Sequence, residues 1–212
     1  MHRRFIYFPS IVQILLVLNS IAFLLLLSAP VSMFGNFALW PLGLTGQEVF
    51  EGIAPRFQLW QLVSYSFLHG GLFHLLINMY VLWMFGSRIE QAWGSKAFVI
   101  YYFVCVIGAG LVQLVVASLS VSAGEIYPTV GASGGVFGLL LAFALTYPNE
   151  RLMLIFPPVV LKAKWLVLIY AGIELYAGVT GTMEGIAHFA HLGGMVFGFL
   201  LLLYWGKHPL KR

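Results

Sequence analysis

The sequence predicts an all-α, polytopic membrane protein: a bundle of six transmembrane helices. Two observations carry this. First, the 212 residues are 61% apolar and only 8% charged, with a mean hydropathy of +0.94. A soluble domain carries roughly 25% charged residues and about half apolar ones. Second, the apolar residues fall in long continuous runs, and a helical span needs about 20 of them, with a range of roughly 17 to 25. Continuous runs exclude a membrane β-barrel, whose strands alternate and are shorter. The composition also excludes a soluble enzyme, a disordered chain and a nucleic-acid binder. A net charge of +4 on so few charges marks orientation in a membrane, not a polyanion partner. The single cysteine, Cys105, excludes an internal disulfide framework and a Cys-based zinc site.

The first span runs from about Phe8 to Ser28. His2-Arg3-Arg4 ahead of it imitates a signal peptide. The run is long, however, and Leu27 stands where cleavage wants a small residue, so it reads as an uncleaved span. A first outer loop follows, about residues 29–69. It carries Phe34, Phe37, Leu39, Trp40 and Trp60, which suits a structured segment lying in the interface. The second span is expected over Gly71 to Gly86 and the third over Ala97 to Ser120. The fourth is short, from Ser133 to Tyr147. The fifth covers Trp165 to Gly181 and the sixth Gly185 to Trp205. Between the fourth and fifth, the apolar stretch Leu152 to Leu161 contains Pro157-Pro158 and is expected to lie along the inner interface without spanning. No repeat interrupts this pattern, so a single membrane domain is expected over residues 1–212.

Basic residues orient the bundle. With the N-terminus in the cytoplasm, six spans put Arg3, Arg4, Arg88, Lys96, Arg151, Lys162, Lys164, Lys207, Lys211 and Arg212 inside. Only Arg56 falls outside, among eleven basic residues in all. This is the positive-inside pattern. Glu48, Glu51, Glu125 and Glu184 fall outside, but acidic residues say little about orientation.

Polar groups inside a membrane are expensive, so each is a functional candidate. At about 1.5 Å per residue, the fourth span is roughly 22 Å long against a hydrocarbon core of about 30 Å. Ser133 then lies roughly 8 Å below the outer boundary, His191 roughly 9 Å, and His74 and Asn78 roughly 6 and 12 Å. Four polar side chains from three spans thus share one layer. His74 and Asn78 are four apart and share a face. Gly194 and Gly198 form a small-residue seam on the face of His191; Gly134 and Gly138 form another beside Ser133, with Gly131 just ahead. Two such faces can pack backbone to backbone and bring Ser133 within reach of His191.

That pairing has a chemistry. A serine hydroxyl needs a base to become a nucleophile, and a neutral imidazole is the usual one. The chain has no Asp, so a Ser-His dyad is the economical arrangement. The unpaired N–H groups at the start of the fourth helix, with His74 and Asn78, are candidate oxyanion donors. Each residue also has a plainer reading. Ser133 suits a helix N-cap; His74 and Asn78 suit bridges between helices. His69 and His188 suit the interface. Glu174, roughly 10 Å below the outer end of the fifth span, suits a helix bridge, or it orients a histidine. Two other functions stay open: a histidine-rich metal- or haem-binding membrane protein, and a non-catalytic scaffold or transporter. Against the metal reading, His69 and His74 are about 140° apart around a helix and no H-E-x-x-H is present. No metal and no cofactor are expected.

The ordered set His69-Gly-Gly-Leu-Phe-His74-Leu-Leu-Ile-Asn78, Gly86-Ser-Arg-Ile-Glu90, Gly131-Ala-Ser133-Gly134 and Ala190-His191-Leu-Gly-Gly194-Met-Val-Phe-Gly198 resembles the rhomboid intramembrane serine proteases. The resemblance is to the minimal six-span bacterial form. It implies a rhomboid-like bundle in the bacterial cytoplasmic membrane, with both termini cytoplasmic. It implies Ser133 as nucleophile and His191 as base, with His74, Asn78 and the Ser133 backbone lining the oxyanion hole. It also implies a membrane-embedded first loop and a fifth span through which substrates enter. The substrates would be single-span transmembrane proteins with a helix-weakening segment and a small residue beside the cut. Two departures stand out. Many members carry Trp-Arg in the first loop, where this chain has Trp60-Gln61, so an anchoring arginine is absent. Phe137 stands one turn after the serine where some members have Tyr; a phenyl ring can still stack on the histidine.

Overall fold

Helices that are apolar all round are stable only in lipid or at the centre of a bundle, and both environments occur here. The computed structural model describes residues 10–44, 52, 54–153, 158–182 and 187–206. Among these, the helices are α1 (Ile11–Ser28), α2 (Pro30–Phe37), α3 (Gln61–Ser64), α4 (Leu72–Val81), α5 (Ser87–Trp93), α6 (Ser95–Val121), α7 (Ser133–Thr146), α8 (Ala163–Thr180) and α9 (His188–Trp205). A π-helical turn, Leu82–Gly86, joins α4 to α5.

The expectation of an all-α polytopic membrane protein is met. Five candidate spans have the length and apolarity to cross: α1, α4 through α5, α6, α8 and α9. The fourth apolar stretch forms α7, which has only 14 residues. At about 1.5 Å each that is roughly 21 Å, short of the hydrocarbon thickness. Exactly six spans are therefore not established. The burial of each helix gives its place. Half of α6's most apolar stretch is buried, against 28% for α1 and for α8. So α6 is central, packed against α7 and α9, while α1 and α8 present Leu24, Leu27, Leu168 and Tyr176 outward.

One boundary differs from the expectation. The second span continues past Gly86 to Trp93, because the charged segment finds partners. Glu90 is buried and accepts the Ile11 and Val12 N–H groups at 2.8 and 3.0 Å and the Ser95 hydroxyl at 2.6 Å. It thereby fills orphan donors at the start of α1. After α7, the described residues include two short strands. Strands β1 (Arg151–Met153) and β2 (Val160–Lys162) pair antiparallel. Pro157 lies outside the described residues, as do Arg3, Arg4, Glu48, Glu51, Glu184, Lys207, Lys211 and Arg212.

The described part of the first loop is structured, as its aromatic content suggests. Leu39 bridges to Thr129 by paired backbone bonds. The indole N–H groups of Trp40 and Trp60 donate to the Phe34 and Asn36 carbonyls at 3.0 and 2.9 Å. Gln61 is 1% exposed. Its amide oxygen accepts from the backbone N–H groups of Trp40 and Gln58, both at 3.3 Å, and its amide nitrogen donates to the Asn36 carbonyl at 3.4 Å. The loop therefore has an anchor at Trp60-Gln61 after all, made by an amide instead of a guanidinium. Gln61→Ala would take the acceptor from the buried Trp40 N–H and from the Gln58 N–H, while the Asn36 carbonyl keeps the Trp60 indole. It is expected to lower stability by about 1–3 kcal/mol, read as a fall in thermal unfolding temperature in detergent.

Candidate active site

The site is assembled from the starts of α7 and α9 and the upper part of α4. Ser133 is the first residue of α7; the cap position is Ala132, and no side chain caps this helix. The serine hydroxyl is therefore not spent on capping. It lies 2.7 Å from His191 Nε2. The pair is held by a close approach of α7 and α9. A Cβ on Gly194 would run into the Gly134 carbonyl, and one on Gly134 would meet the Ala109 side chain. Small residues here let α7 and α9 touch through their backbones. Gly138 and Gly198 continue the seam toward α6, against Cys105 and, for Gly198, also Tyr101.

His191 is 7% exposed, and Phe137 stacks flat on it with ring centroids 4.2 Å apart and planes 5° apart. A stacked ring limits imidazole rotation and excludes water from one face. His74 stands on the other side of Ser133. Gly131 separates them, with φ at 131°, a backbone that favours glycine. A Cβ on Gly131 would sit 3.0 Å from His74 Nε2 and 3.6 Å from Ser133 Oγ. That point is in reach of both groups. Among Gly131, Gly134 and Gly135, only Gly131 fronts this space. Gly134 faces α9 and Ala109, and Gly135 faces Tyr102 and Val106. Asn78 is buried on the same flank of α4 as His74 and donates one amide hydrogen to the His74 carbonyl at 2.9 Å. Its second amide hydrogen makes no bond to Ser133 among the described residues.

Two further residues pack beside the site. His69 packs edge-on to His74, with ring centroids 5.0 Å apart. Burial pushes its pKa down to about 4, so it adds no charge beside the site near neutrality. Glu174, on α8, reaches His188 Nδ1 at 2.7 Å and His191 Nδ1 at 2.9 Å through the same oxygen, Oε2. The bridge expected of Glu174 thus ends on the histidine beside Ser133. Glu174, His188 and His191 each present a ligand atom, all within 4.8 Å of one another, and are the set here that could hold a metal.

A rhomboid domain model matches residues 56–208, more than half of the chain. The chain is 35% identical over 147 residues to the mouse (Mus musculus) presenilin-associated rhomboid-like protein, mitochondrial, covering 66% of this chain and 36% of that protein. It is 34% identical to the human (Homo sapiens) protein of that name, with the same coverage. It is 36% identical over 143 residues to RHOMBOID-like protein 4 of Arabidopsis thaliana, covering 67% of this chain and 33% of that protein. The chain thus spans about a third of the length of the curated relatives it matches. These findings correct one expectation. The minimal six-span bacterial form does not stand: five described helices are long enough to cross, and the matched presenilin-associated relatives are mitochondrial. Nor do those relatives support placement in a bacterial cytoplasmic membrane with cytoplasmic termini. With the family model across α3 to α9 and these identities behind it, the chain is an integral, multi-pass membrane protein that belongs to the rhomboid family.

Proposed function

We propose that this chain is an intramembrane serine endopeptidase that cuts single-span transmembrane proteins within the lipid bilayer by a Ser133–His191 dyad. The observation that carries the reading is the 2.7 Å contact between Ser133 Oγ and His191 Nε2, made between two helices at a largely buried site. As a substrate carbonyl meets Ser133, the Oγ–C bond forms and the hydroxyl proton passes to His191 Nε2. The carbonyl becomes an oxyanion, for which the Ser133 N–H, His74 and Asn78 are the donors. The C–N bond then breaks as His191 returns that proton to the leaving amine. Water attacks the acyl ester, gives its proton to His191 and frees the new carboxyl end. The proton returns to Ser133.

A membrane helix hides its carbonyls in hydrogen bonds, so the substrate must unwind to reach Ser133. Substrates with Gly or Pro near the cut fit this need. A small residue at the cut fits the narrow space at Gly131, though that preference rests on one glycine and not on a glycine floor. In this reading Ser133, at the start of the short α7, lies below the membrane surface on the side away from the Lys- and Arg-rich loops. All of residues 1–212 belong to this one domain in this reading.

The test is labelling by a fluorophosphonate probe: the wild type should react and Ser133→Ala should not. Reaction of both at one rate would sink the reading. The oxyanion assignment has its own check. Asn78→Ala should lower turnover about tenfold to a hundredfold, and His74→Ala at least as much. In cleavage of a single-span substrate both should show in kcat more than in KM. A pure KM defect at Asn78 would count against its role.

A further inference from the structure

Glu174 is 7% exposed, and its Oε2 meets two imidazoles. The bond to His188 Nδ1 is 2.7 Å and well formed. The contact with His191 Nδ1 is 2.9 Å, but the ring N–H is not aimed along it, so His191 Nδ1 has no aligned hydrogen bond at rest. An ionised carboxylate only accepts, so an imidazole that faces it through Nδ1 carries its proton on Nδ1. For His191 this leaves Nε2 bare, with its lone pair toward the Ser133 hydroxyl. Catalytic hydrogen bonds are often poorly aligned before substrate arrives and tighten in the complex. A bridge that served only to join α8 to α9 would need one histidine. Here the oxygen is shared, and the second histidine is the one that holds the serine.

A bound metal explains the cluster less well. Neighbouring ligands of a tetrahedral zinc, with bonds of 2.0–2.1 Å, stand about 3.3 Å apart. The separations of 2.7 and 2.9 Å are shorter than that, and the first is a hydrogen bond.

We propose that Glu174 is the positioning residue for His191, holding the imidazole in its Nδ1–H form and offsetting the positive charge that it gains with the Ser133 proton, while His188 holds the carboxylate in place. This rests on the reading of Ser133 and His191 as nucleophile and base. In a chain without Asp, the carboxylate of a serine-protease triad is then supplied by Glu from a third helix.

The experiment compares wild type, Glu174→Gln, Glu174→Asp and Ser133→Ala in proteoliposomes on one single-span substrate. Glu174→Gln should lower kcat by about 10²–10⁴ with KM little changed, as an amide does in place of a triad carboxylate. Glu174→Asp should recover about tenfold or more of that loss. In wild type, ¹⁵N NMR of His191 should show a protonated Nδ1 and a bare Nε2. This last arm needs no variant to fold. Glu174→Gln with kcat within about twofold of wild type would overturn the proposal. So would a lower unfolding temperature with unchanged kcat per folded molecule, a His191 proton on Nε2, or stoichiometric zinc that is lost in Glu174→Gln. If Ser133→Ala still cleaves, the nucleophile reading falls and this one with it. If Ser133→Ala is dead while Glu174→Gln stays active, only this proposal fails.

Discussion

Ser133→Ala should abolish cleavage of a single-span substrate and leave the fold intact. Loss of the nucleophile of a serine protease costs on the order of 10⁶ in turnover, which takes a slow intramembrane enzyme below detection. The fold should survive because the hydroxyl caps no helix and, among the described residues, bonds to His191 alone. His191→Ala should be as inactive, and the double variant no worse than either, since the two act as one unit. Cleavage rate and unfolding temperature, measured side by side, decide this. An alanine variant that cleaves at the wild-type rate would remove Ser133 from the mechanism. His188→Ala should keep much more activity than His191→Ala, because His191 contacts the serine directly and His188 contacts Glu174.

The second large effect is expected at a residue with no functional group. In Gly194→Ala the new Cβ meets the Gly134 backbone, which cannot rotate out of the way as a side chain could. The helices must separate, and overpacking of this kind costs typically 1–3 kcal/mol, sometimes more. Separation also moves His191 away from Ser133, and a misplacement of about 1 Å can cost about a hundredfold in rate. So the variant should be both less stable and at least a hundredfold slower per folded molecule. Gly172→Ala is the matched control. Gly172 lies on α8 with open space around it, and alanine is worth up to about 1 kcal/mol over glycine in a helix. It should be neutral or slightly stabilising. Equal damage at Gly172 and Gly194 would mean that the backbone contact is not what places the site.

Helical rise and the length of apolar runs gave Ser133 and His191 matching depths, and the two side chains meet at 2.7 Å. Counting does not give rotation. Whether Glu174 faces lipid or His191 depends on how α8 turns about its own axis, and its weakly apolar sequence points to no single face. Gln61 was hidden for another reason. Its partners are backbone groups of Asn36, Trp40 and Gln58, and backbone groups leave no mark in residue types. The direction of Gly134 and Gly135 was illegible too, since adjacent glycines point about 100° apart on a helix and only the neighbours show which one fronts the site. Strands β1 and β2 lie in a stretch too short and too apolar to separate pairing from interfacial burial.

The π turn between α4 and α5 has a consequence for angular register. A π turn holds about one residue more than an α turn, so everything after it is rotated relative to a regular helix. Each α-helical residue is worth about 100°. If the turn relaxed into a regular helix with every residue kept, α5 would swing through about that angle relative to His74 and Asn78. Glu90, which now reaches the Ile11 and Val12 N–H groups, would be carried away from α1. The extra residue thus works as a fixed twist. It lets one continuous span hold His74 and Asn78 on one flank and aim a carboxylate, about three turns further on, at a different helix.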